Sequence, residues 1–183
     1  GAAGGPCIDC AAGKYKASQG PGTCIDCAAG KYQGSTGQPS CIDCVAGQYQ
    51  GSTGQSSCET CPAGRISGTS SASCTNCVAG QYQGSTGQSS CINCEAGQYQ
   101  GSTGQSSCID CPAGKSSNAG GTCSFCSPGD VSVAGGNCIV CPAGTYSNHE
   151  HTLCIDCPAG TYRENTGGWL GPGGSCTNCP AGK

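Results

Sequence analysis

Apolar side chains are sparse along this chain and fall at two recurring places. One, usually Ile, sits between the cysteines of a C-x-x-C pair, as in Cys24-Ile25-Asp26-Cys27, and the other, usually Tyr, follows the pair shortly afterwards, as in Gly30-Lys31-Tyr32. The intervening loops, typified by QGSTGQSS at 50–57, are polar. Gly, Ser, Thr and Gln give neither an apolar stripe at helical spacing nor a long period-two alternation, so the pattern predicts turns and short two-stranded ribbons with almost no helix. The candidate strands are K-Y-K and Q-Y-Q, pairing with the few residues that enter the next cysteine. The fold class expected is small and disulfide-rich: an elongated tandem-repeat rod of short β-ribbons and turns.

The repetition is literal in places. AGQYQGSTGQSSC stands at 46–58 and returns unchanged at 79–91 and 96–108. All 22 cysteines lie in C-x-x-C pairs that begin at Cys7, Cys24, Cys41, Cys58, Cys74, Cys91, Cys108, Cys123, Cys138, Cys154 and Cys176. The step is usually 17 residues, shortens to 15 or 16 in four places, and lengthens to 22 before the last pair, where TGGWLGPGG is inserted. A short fixed period signals an array whose units lean on their neighbours. It divides the chain into a leading segment 1–6, an array of about ten modules over 7–179, and a start of a further, truncated module at 180–183. With GAAGGP in place of an initiating Met, the chain reads as a piece of a longer polypeptide.

Glycine stands three residues past the second cysteine of every pair, from Gly13 to Gly182, which suggests a turn needing positive φ. Two residues further comes Tyr15, Tyr32, Tyr49, Tyr82, Tyr99, Tyr146 or Tyr162, replaced by Ile66, Val131 and Ser116 in three modules. These rings are expected to lie over their own disulfide or the next module, as the sizeable apolar bodies available. Asp9, Asp26, Asp43, Asp110, Asp156, Asn76, Asn93 and Asn178 share one position inside the pair. One acid per module falls short of the six or more oxygens calcium takes, so an Asx turn ahead of the glycine is the expectation there. His149 and His151 could face one side of a strand as metal ligands, or be solvated loop.

Composition excludes a conventional core: 34 glycines and 22 cysteines accompany only nine aromatic residues and no Met. So little apolar surface cannot offset the entropy of ordering the chain, and covalent bonds must substitute for it. Cysteine used this densely implies an oxidising setting, hence a secreted or cell-surface protein. A net charge of −3 offers no basic stripe for nucleic acid, and no segment approaches the length of apolar sequence that spans a bilayer.

Four thiolates from two C-x-x-C pairs could also hold zinc, so spacing alone leaves two chemistries. Zinc would use pairs two at a time and strand one of eleven, the loops lack the basic residues common in intracellular zinc modules, and proline follows the second cysteine, as at Cys61-Pro62. No cofactor is expected. Two disulfide connectivities fit the spacing. One joins first to first and second to second across two pairs, leaving an odd pair idle. The other suits a continuous array and joins each second cysteine to the first of the next pair: Cys10–Cys24, Cys27–Cys41, Cys44–Cys58, Cys61–Cys74, Cys77–Cys91, Cys94–Cys108, Cys111–Cys123, Cys126–Cys138, Cys141–Cys154 and Cys157–Cys176. Cys7 and Cys179 then remain for inter-module or inter-chain bonds. Extended four-residue joins would advance the array by about 10 Å per module, giving a rod on the order of 100 Å.

CPAGTYSNHEHTLCIDCPAGTY, residues 141–162, resembles the ephrin-receptor-like cysteine-rich repeat with its C-x-x-C-P-x-G-x-Y core, and the likeness extends over nearly the whole chain. Ala11, Ala28, Val45, Val78 and Glu95 depart from the proline of that core, and Cys126-Ser-Pro-Gly shifts it. The resemblance implies an extracellular disulfide-linked module, similar in loop design to tumour-necrosis-factor-receptor repeats, of a kind found in receptor ectodomains and in protist surface proteins, including those of the flagellar hairs called mastigonemes.

No nucleophile–base set or phosphate-binding loop is present, so an enzyme is not expected. Verbatim repetition points to a structural component of an extracellular filament or hair that assembles with itself or other chains, because identical units offer equivalent contacts at fixed intervals. The alternative is a receptor or adhesin stalk that recognises a ligand through the variable stretch from Asn118 to Trp169, which holds Phe125 and both histidines. Ser and Thr crowd the loops without any N-x-Ser/Thr sequon, so O-linked glycans on Ser35, Thr36, Ser52, Thr53, Ser85, Thr86, Ser102 and Thr103 are a candidate modification.

Overall fold

A computed structural model describes residues 8–18, 20, 22–164 and 175–180. Cys7, Trp169 with the rest of its insertion, Gly182, the leading segment 1–6 and residues 181–183 lie outside the described residues. Among those described there is no helix. Twenty strands of two or three residues pair into antiparallel two-stranded sheets, one ribbon per module.

The first ribbon shows how the local sequence builds each one. After Cys10 the chain reverses over Ala11–Lys14, with the Lys14 N–H donating to Ala11 O at 3.1 Å and Gly13 at φ +83°, the conformation a type II turn requires at its third residue. Strand β1 (Lys14–Tyr15) then pairs with β2 (Ile25–Asp26), in the register Lys14↔Asp26 and Tyr15↔Ile25. The partner strand therefore lies just beyond the first cysteine of the next pair, where the sequence pattern placed it just before. The reason is that two fastenings bracket the ribbon: the Cys10–Cys24 bond at one end and the Cys27 N–H donating to Gly13 O, at 2.9 Å, at the other.

Burial follows a period of three. Cys27, Gly30 and Gln33 are buried, as are Cys44, Gly47 and Gln50, Cys61, Gly64 and Ser67, Cys94, Gly97 and Gln100, and Cys126, Gly129 and Ser132. The core is a strip of sulfur, bare backbone and amide. Ile25, Ile42, Ile92 and Ile109 meanwhile stand about half exposed. Each buried Gln organises the loop behind it: Gln50 Nε2 donates to Ser57 O at 2.8 Å while its Oε1 accepts the Ser52 N–H at 3.0 Å, and Gln33 and Gln83 repeat the arrangement. Both ends of the amide are thereby satisfied, which is the condition for burying it.

The contacts resolve into two compact units: residues 1–78 with 82–92 and 103–107, and residues 79–81 and 93–102 with 108–183. In the first, the N–H groups of Gly13, Gly30, Gly47 and Gly64 donate to the carbonyls of Gln33, Gln50, Ser67 and Gln83 one module on, at 2.7–2.9 Å. Loop residues reach back, with the N–H groups of Gly37, Gly54, Ser70 and Gly87 each donating at 2.8 Å to Cys10, Cys27, Cys44 and Cys61 O. Ser70 adopts φ +54° where the other three positions hold glycine. In the second unit, the same donors, Gly80, Gly97 and Gly114, reach Gln100, Ser117 and Ser132, at 2.7–3.0 Å.

Candidate functional site

The described cysteines other than Cys179 form a ladder in which each second cysteine is bonded to the first of the next pair, from Cys10–Cys24 to Cys157–Cys176, with Cα atoms 5.6–5.8 Å apart. From Cys10 to Cys141 the second cysteine of every pair is buried. Cys179 is exposed and unbonded among the described residues.

The glycine after each pair does more than turn the chain. A Cβ on Gly13 would collide with Gly54 O, one on Gly47 with Gly87 O, and one on Gly80 with Gly120 O. In these modules the carbonyl that excludes it belongs to the module two further along, so each of them is held by its next neighbour and by the one after, whereas Gly144 and Gly160 have open space at the same place. The buried amide that follows Tyr went unrecognised in the sequence because Gln is a common turn and surface residue. Its signal was the spacing C-x-x-G-x-x-Q, which recurs in four modules, at Gln33, Gln50, Gln83 and Gln100, while Ser67, Ser117 and Ser132 are buried at the same position in three others.

The Asp and Asn positions inside the pairs were expected to close Asx turns. Four of the eight side chains meet a partner across the ribbon instead: Lys14 and Lys31 Nζ lie 2.6 Å from Asp26 and Asp43 Oδ1, while Gln81 and Gln98 Nε2 donate at 2.9 Å to Asn93 and Asp110 Oδ1. The antiparallel register puts Lys14, Lys31 and Gln98 directly opposite Asp26, Asp43 and Asp110, and a long donor spans that gap better than the residue's own backbone can curl to meet it. Asp43 also accepts from Ser70 Oγ at 2.6 Å. The Lys31 hydrogen bond first, and Ser70 second, hold its carboxyl below the ordinary range. At the adjacent strand position of another module, Tyr49 Oη donates to Glu59 at 2.7 Å, which raises the phenol above its ordinary value.

Tyr15, Tyr32, Tyr49, Tyr82, Tyr99 and Tyr146 are half-buried, and Tyr162 is exposed. His149 is exposed and His151 sits in a turn at φ +55°, so the two do not share a strand face. His151 Nδ1 lies 3.2 Å from Asp130 O and its ring centroid 6.2 Å from that of Phe125, whose face carries Lys115 Nζ at 4.3 Å. Among the described residues, no group of three or more His, Cys, Asp or Glu is placed to hold a metal ion. Ser35, Thr36, Ser52, Thr53, Ser85, Thr86, Ser102 and Thr103 are all exposed at loop tips.

The family described as Tyrosine-protein kinase ephrin type A/B receptor-like matches residues 1–37, 30–73, 64–98, 85–124, 129–167 and 144–183. No curated protein matches the chain.

Proposed function

Because this chain belongs to the ephrin type A/B receptor-like family of cysteine-rich repeats, we propose that it is a non-catalytic extracellular ectodomain whose work is structural: a rigid disulfide-laddered element of a filament or surface hair of the mastigoneme kind. Its setting is then the cell surface or the extracellular space. The observation that carries this reading is the repetition of one contact set at successive modules, from the glycine N–H to the buried position of the next module. Repeated geometry presents the same outer surface at regular intervals, which is what assembly with copies of itself or with other chains uses. No helix among the described residues is long and apolar enough to cross a membrane. Electron microscopy of the purified, unreduced chain at rising concentration tests the reading. Filaments or bundles are expected, and monodisperse single chains at high concentration refute it.

Two covalent features accompany it. Cys7 and Cys179 form bonds to adjoining modules or chains, and non-reducing peptide mapping should find both in disulfide-linked peptides. O-glycans occupy the eight exposed loop hydroxyls from Ser35 to Thr103, and intact-mass measurement should show hexose-spaced excess mass. A receptor or adhesin stalk is the second reading, favoured by the gathering of Phe125 and His151 of the variable stretch with Lys115 just before it. Unchanged partner binding after alanine replacement of His149 and Trp169 would dismiss it.

A further inference from the structure

The seventh module lacks the large cross-strand side chain that fills the space beside the other ribbons. Elsewhere the cross-strand pair is large, as in Tyr15↔Ile25, Tyr32↔Ile42 and Tyr99↔Ile109, but in the seventh module it is Ser116↔Ser124. As in the modules of Ser67 and Ser132, a serine also stands in place of the loop-organising Gln, and Ser117 turns its Oγ to Gln98 O at 2.6 Å. The loop is shorter as well, with Cys111 and Cys123 separated by 12 positions against 14 for Cys94 and Cys108. These losses leave an open hollow of about 600 Å³ between this module and the next.

Its lining is chemically specific. Ser116, Thr122 and Ser124 contribute hydroxyls, Asn118 and Asn137 contribute amides, and Phe125 stands at the rim with 64% of its surface exposed. Phe125 occupies the position that holds Asp or Asn in most modules, so the cross-strand contact that Lys14 makes with Asp26 and Lys31 with Asp43 becomes Lys115 over an aromatic face. No carboxylate lines the hollow to attract a cation, and apart from Phe125 no large apolar side chain lines it to attract a lipid tail. Lys115 takes one face of the Phe125 ring, and the ring's exposed remainder, with a surround of hydroxyls and amides, matches a molecule with a C–H face and a rim of hydroxyl groups. The volume lies in the range of small-molecule sites and exceeds a single sugar ring.

We propose that this hollow is a saccharide-binding site that takes a neutral disaccharide-sized segment of a glycan, one pyranose face against Phe125 and its hydroxyls on Asn118 and Asn137. The inference goes beyond the filament reading and does not rest on it. Saturation-transfer NMR on the intact, unreduced chain with lactose, maltose, cellobiose and chitobiose tests it. At least one disaccharide is expected to bind. Phe125→Ala should weaken that binding at least tenfold, and Ser116→Tyr, which restores the residue of seven other modules and fills the space, should abolish it with all disulfides intact. Failure of all four sugars to bind the native chain, or binding that survives Ser116→Tyr, overturns the proposal.

Discussion

At the scale of single residues, glycine and glutamine carry weight that a hydrophobicity scale does not register. Gly47 combines φ +83° with a carbonyl from two modules on where its Cβ would stand, whereas Gly101 has ordinary φ and open space around it. Gly47→Ala should therefore cost about 3 kcal/mol or more, the sum of a left-handed penalty and a displaced backbone, while Gly101→Ala should be near neutral. Thermal melts of the two variants make the comparison, and equal shifts would refute the account. Asp43 yields a pH prediction. Its folded pKa lies below the ordinary 3.8 because Lys31 and then Ser70 donate to the carboxylate. The stabilisation is therefore fully present above 3.8 and is lost as pH falls through the depressed folded value. An NMR titration of the Asp43 carboxyl should show its midpoint below 3.8, and Lys31→Gln should move it upward.

At the scale of elements, a two-residue strand has no stability of its own, and each ribbon exists because it is fastened on both sides. The sequence pattern was enough to read turns and short ribbons, since glycine, cysteine and tyrosine recur at fixed offsets. It misplaced the partner strand by a few residues and misassigned the Asp and Asn side chains, because register depends on where the disulfide and the Cys27 N–H together clamp the chain, and the Cys27 hydrogen bond to Gly13 O has no local signature. Closing a loop of about fifteen residues is worth roughly 3 kcal/mol, so converting both Cys94 and Cys108 to Ala should cost that much locally. Arrays of repeats do not unfold as one two-state unit, which makes local opening the better observable. Hydrogen exchange at the Gly97 amide, bonded to Ser117 O in the native fold, should accelerate roughly a hundredfold, a change in line with that cost. Unchanged exchange at Gly97 would show that the bond is dispensable.

For the molecule as a whole, the same reasoning separates sulfur bridges from metal as the agent of order. A chelator should leave the melting transition and the hydrodynamic size unchanged, while a reductant should expand the chain and abolish the transition, as light-scattering and circular dichroism would register. Collapse on chelation instead would mean that the thiolates hold zinc. The sequence by itself determined the period, the disulfide-rich class and the family, because cysteine spacing and glycine punctuation are local facts that survive without a fold. Only the tertiary structure decided which residues form the core and where the seventh module leaves a hollow. Cys, Gly and Gln become interior through contacts between modules, at one and two repeats' distance, and the hollow beside Phe125 exists because Ser116 and Ser124 face each other across a ribbon. Such juxtapositions depend on register and stacking, which no window of sequence contains.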